Sequence, residues 1–157
     1  MTMETLLNKL WLYNNWANQL LMNSIQQQTG DIPYKTMHLL SHIMNAQVVW
    51  LERIKGSRNS VGIWDDHDLE SCRKMHEQAS LGIKEVLMLR SANLQQTIFY
   101  TNSNGVAYET QLDDILMQIF NHGTYHRGQI AQDLRINALD PIGTDYIAFV
   151  RSHKGSR

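Results

Sequence analysis

Apolar residues recur along this chain at helical spacing in four long stretches, each bounded by turn-forming residues. In the first, over about residues 3–28, Leu6, Leu10, Tyr13, Ala17, Leu20, Leu21 and Ser24 fall near one stripe. Gly30, Asp31 and Pro33 end it and open a turn. The second covers about 34–55, with Leu39, Ile43, Ala46, Trp50 and Ile54 in the 3/4 alternation of a buried face. A polar loop from Gly56 to Gly62 follows, ahead of Trp64. A third helix is predicted over about 66–94 through Leu69, Cys72, Met75 or His76, Ala79, Ile83, Val86 and Leu87. The period then changes. Residues 97–101 and 106–110 are short β-prone runs separated by Asn102-Ser103-Asn104-Gly105, which predicts a small hairpin. The fourth helix begins near Leu112, with Asp113 and Asp114 in its first turn, and runs to about Ala138 before Asp140-Pro141. Residues 145–151 add a short terminal helix. The pattern is all-α, a four-helix bundle with a small β-hairpin before the last long helix.

Composition narrows the class. The 157 residues, 43% hydrophobic and 18% charged, suit a single domain over 1–157. A net charge of -1 offers no basic field for nucleic acid, and the tail carrying Arg151, His153, Lys154 and Arg157 reads as a solvated end. Trp11, Trp16, Trp50 and Trp64 read as packing residues of the core or helix ends. The lone Cys72 excludes an internal disulfide, fits a reducing cytoplasm, and reads as a small core side chain. No basic-then-apolar leader and no long apolar run is present, so neither a signal peptide nor a membrane span is expected.

Chemistry enters in the fourth helix. Its seam runs Leu112, Ile115, Ile119, His122, His126, Gln129, Asp133, changing from aliphatic to polar halfway along. His122 and His126 share one helical face, one turn apart, and can hold one divalent ion between them. His42, beside the apolar stripe of the second helix, is the candidate third ligand. His38 is either a further ligand, a supporting group, or, as its place in the first turns suggests, a surface residue. Gly123 and Gly128 each cost about 1 kcal/mol relative to Ala inside a helix, which predicts a cavity or a close helix contact at this level. Three neutral nitrogen ligands leave coordination positions open, as catalytic sites do, and suit Zn²⁺, Ni²⁺, Fe²⁺, Mn²⁺ or Co²⁺. No Glu-x-x-His pair and no carboxylate within the His122–His126 pair is present, which disfavours carboxylate-bridged di-iron and zinc-protease sites. Set against this, histidines hydrogen-bonded to Gln129, Asn45 or backbone carbonyls would need no metal. His67 and His76 read as solvated.

At these residues the chain resembles the DinB-like family of metal-dependent helix-bundle proteins. The similarity lies in Asn121-His122-x-x-x-His126-Arg127-Gly128-Gln129, with Leu134-Arg135, Pro141 and Asp145 downstream and Tyr13, Trp16-Ala17-Asn18, His42 and Trp50-Leu51 upstream. The resemblance implies an up-down-down-up bundle with a long crossover between the second and third helices. It also implies a metal on His42, His122 and His126, and homodimers. Some relatives are thiol S-transferases or thiol-dependent isomerases. Relatives often carry an acidic residue five positions after the first ligand, where this chain has Gln47, so a carboxylate acid–base role does not carry over.

The function expected is a metal-dependent enzyme acting on a small molecule, with a low-molecular-weight thiol as cosubstrate. Gln129 and Tyr125 would be polar groups at its cavity, and Arg127 a structural residue. A metal-dependent hydrolase, and a non-enzymatic metal-binding or stress-induced interaction protein, are the alternatives.

Overall fold

A computed structural model describes residues 2–153; Lys154 and Arg157 of the basic tail lie outside the described residues. The helices are α1 (Met3–Gln27), α2 (Tyr34–Lys55), α3 (Leu69–Leu89), α4 (Leu112–Ile136) and a short α5 (Tyr146–His153). Strands β1 (Thr97–Thr101) and β2 (Ala107–Gln111) form an antiparallel hairpin before α4, with Thr97 opposite Gln111 and Thr101 opposite Ala107. The boundaries have local causes. Thr2 caps α1 by accepting from the Thr5 amide. Gly56, at φ 68°, closes α2: its amide meets the Arg53 carbonyl while the Ser57 amide reaches Glu52.

The third helix is shorter than its apolar period predicts, at both ends. Asp68 caps it through the Ser71 amide at 2.7 Å, which fixes the start at Leu69 rather than near 66. At the far end Ser91–Asn93 tighten into a 3₁₀ turn, and the chain leaves towards the hairpin.

Pairwise contacts set the topology. α1 and α2 each pack against both α3 and α4, so they occupy opposite corners. Bonds joining residues 11 to 80 and 23 to 73 make α1 antiparallel to α3. Contacts of 41 with 72 and 55 with 85 make α2 parallel to α3. Contacts of 36 with 133 and 42 with 122 make α2 antiparallel to α4. The result is up-down-down-up. Because α2 and α3 point the same way, residues 56–68 must climb back along the bundle, and they do so against α2.

The interior is layered. One apolar cluster, containing Leu7, Ile83, Leu112, Leu116 and Phe120, fills one end. Another, with Leu21, Leu40, Met44, Ile130 and Leu134, fills the other. Between them lie buried Asn14, Asn18, Gln47, His76 and Arg127. Arg127 donates to Asn18 at 2.8 Å, to Asn14 at 3.2 Å and to Thr124 at 2.9 Å, and lies over the Tyr13 ring. His76 is buried, not solvated as its position on α3 suggests: it bonds Asn15 at 2.9 Å and approaches Asn18 at 3.5 Å. Burial, reinforced by the nearby guanidinium, drives its pKa down to about 4. Cys72 is fully buried beside Ser41, and burial pushes its thiol pKa up. Among the described residues no helix is long and apolar enough to cross a membrane.

Candidate metal centre

The polar half of the α4 seam faces α2, as its period requires. Asp133 accepts from Thr36 of α2 at 2.8 Å, and two turns earlier His122 and His126 meet His42. The His122 Nε2 lies 3.1 Å from Nε2 of His42 and 3.1 Å from Nε2 of His126. All three ligand atoms lie within 4.8 Å of one another. Nitrogens sharing one ion at bond lengths of about 2.0–2.1 Å stand roughly 3 Å apart, so these distances fit a common cation.

The far nitrogens decide which atoms point inward. His42 donates Nδ1–H to the Ile63 carbonyl at 2.9 Å, and His126 donates Nδ1–H to Gln129 Oε1 at 2.7 Å. Each ring is thereby held in the tautomer whose Nε2 carries a lone pair. Hydrogen bonding to Gln129 and to a backbone carbonyl satisfies one nitrogen of His42 and of His126 and leaves the other free to bind a cation. A single proton on His122 Nε2 could satisfy one of the two facing lone pairs and leave the other opposed. A cation satisfies all three, so the donor set fits a divalent transition metal.

Electrostatics agree. Burial, with the neighbouring imidazoles second, lowers the His122 pKa to about 4. His42 is lowered by burial too, against the opposing pull of the Ile63 carbonyl. Both are therefore neutral, the ligating form, at neutral pH.

The crossover supplies what sequence reasoning missed. Trp64, expected to pack the core or a helix end, is 54% exposed, and its indole lies flat on His42, centroids 3.7 Å apart and planes within 6°. His38 stacks on the same indole at 5.4 Å, and Tyr34 stacks on His38. His38 is half-buried and lies outside the ligand group: its Nδ1 meets Asp66 Oδ1 at 2.6 Å, and Tyr34 donates to Asp66 Oδ2 at 2.9 Å. These bonds hold the Asp66 carboxyl below its ordinary range. Asn45, fully buried, pins the crossover by donating to the Asp65 carbonyl at 2.7 Å and accepting from His67 at 2.8 Å. His67 is therefore tied into the crossover rather than solvated. The only signal for all this was an aromatic at 64 in a segment without periodicity.

The remaining candidates separate. Gln129 touches the centre only through His126. Tyr125 sets its ring edge-on to His126 and is otherwise exposed. Gln47 is buried, takes a long bond from Asn14 at 3.4 Å and leaves its amide nitrogen without a partner. The two glycines have different causes. A Cβ on Gly123 would sit 2.9 Å from an Arg127 guanidinium nitrogen and 3.0 Å from Asn14 Oδ1, so this glycine admits the α1–α4 contact. Gly128 is exposed and a Cβ there would meet nothing, so the expectation of a cavity or close contact fails for it within the chain.

Comparison with known proteins adds a lineage to this geometry. A family model described as "DinB family" matches residues 1–156. The chain is also 27% identical over 154 residues to Protein DinB of Bacillus subtilis (strain 168), covering 88% of this chain and 90% of that protein.

Proposed function

This chain belongs to the DinB family, and on that premise we propose that it is a metal-dependent enzyme transferring a low-molecular-weight thiol to a small electrophile. The observation that carries the reading is the convergence of His42, His122 and His126 through Nε2, two of them fixed as neutral donors by bonds on the opposite nitrogen.

Three protein ligands leave room for an exogenous one. His42, His122 and His126 would hold a divalent ion whose Lewis acidity would favour the thiolate form of a thiol. The chain's own residues do the rest. Ile63 and Gln129 hold the ligand rings in register. Trp64 restricts rotation of His42 and offers its exposed indole as an apolar wall. Tyr125, exposed beside His126, is the polar group available at the rim, whereas Gln129 is a positioning residue. No carboxylate joins the three-histidine group among the described residues. A nucleophile at the centre, thiol or water, would therefore lose its proton through coordination rather than to a carboxylate base.

The test is transfer of cysteine, glutathione or coenzyme A to a chromogenic aryl halide by protein carrying one metal per chain. Expected is turnover that disappears on chelation and in His122→Ala. Metal-replete protein inert with every thiol refutes the transferase reading, and ester hydrolysis in its place would assign the same centre to water activation.

A further inference from the structure

About three turns along α2 from the three-histidine cluster, roughly 16 Å of helix rise from His42, lies an open groove of about 710 Å³. It lies between the C-terminal end of α2, the first residues of the crossover and the tip of the hairpin. Arg53, Arg58, Ser57, Phe99 and Thr101 are among its walls, and no aspartate or glutamate lines it.

Unlike Arg127, the other arginine with a buried, unpartnered Nε, Arg53 donates no side-chain hydrogen bond among the described residues. Its guanidinium carbon lies 4.6 Å from the Trp50 ring centroid and 5.1 Å from that of Tyr100. Its Nε is buried with no hydrogen-bond partner, and no carboxylate pairs with it among the described residues. Burial lowers its pKa from the ordinary value. A basic residue in the last turn of a helix has a ready explanation in the helix dipole. Here the Glu52 and Arg53 carbonyls are already taken by the amides of Ser57 and Gly56 and the Ser57 hydroxyl. The fork of donors is thus stiffened by two aromatic rings and still lacks an acceptor. Arg58 is exposed, and Phe99 presents a ring that is 73% exposed on the wall formed by β1.

The geometry points to a second ligand site in this groove, for a small organic oxyanion. The anionic group sits on Arg53 and Arg58, and an aromatic or apolar body lies against Phe99. The volume is in the range of small-molecule pockets, about 300–1,000 Å³, and a guanidinium fork matches the oxygens of a carboxylate or phosphate. The site is independent of the metal chemistry.

Phenyl phosphate titrated into the full-length, zinc-loaded protein and followed by amide NMR shifts tests this, with inorganic phosphate and phenol as separate arms. Saturable shifts are expected at residues 56–59 and 101–105, with each fragment binding more weakly than the whole. Arg53→Gln weakens binding by about tenfold or more, and Arg58→Ala, a solvent-exposed change that leaves folding untouched, by several-fold. Metal content stays unchanged in both. Shifts confined to the metal centre, phenyl phosphate no tighter than inorganic phosphate, or affinity unaltered in both variants overturns the proposal.

Discussion

His122 and His126 announce themselves by spacing, but their roles depend on atoms no spacing reveals. Each Nε2 points at the others because Ile63 and Gln129 occupy the Nδ1 positions of His42 and His126. Gln129→Leu removes the bond to His126, frees its tautomer, and is expected to weaken metal affinity by about tenfold while leaving the fold intact, measured by competition with a chromogenic chelator. The two glycines give a paired test. Gly128→Ala, in open solvent, stabilises by up to about 1 kcal/mol through helix propensity. Gly123→Ala destabilises by about 1–3 kcal/mol, because the Cβ displaces a guanidinium held by Asn14, Asn18 and Thr124. Urea unfolding of the metal-free proteins reads both. Sequence alone treats these glycines alike, since both flank the ligands on α4; only the position of α1 separates them.

At the scale of elements, the helices and hairpin were legible because period and turn chemistry agree there. The crossover was not. Residues 56–68 have no apolar period, and what they do follows from topology: two consecutive parallel helices force the chain to return along α2, where it passes the ligands. His76 shows the same limit from the other side. Its place on α3 reads as polar, yet α1 brings Asn15 and Asn18 against it. Asn45→Ala touches no ligand but releases the crossover from α2, and is expected to reduce metal affinity by about tenfold, as is Trp64→Ala. Isothermal titration with Zn²⁺ measures both, and parent-like affinity in both variants would show that the crossover does not organise the centre.

Taken whole, the molecule has apolar ends and a polar middle, and the three-histidine cluster lies between α2 and α4. Stability therefore depends on pH through a buried group outside the three-histidine cluster, in addition to His122. His76, with a folded pKa of about 4 against an ordinary 6.5, contributes stability fully present above about pH 6.5. It is lost as pH falls through 6.5 towards 4, since the unfolded chain takes up the proton first, at a cost approaching about 3 kcal/mol. Urea titrations with metal chelated should show that loss in the parent and a shallower slope in His76→Gln. The most direct test of the central claim is elemental analysis of the untagged protein and of His122→Ala. One divalent transition-metal ion per chain in the parent, and a small fraction of that in the variant, is the predicted result. A parent that takes up no such ion at neutral pH, or a variant that retains it in full, contradicts the three-histidine centre.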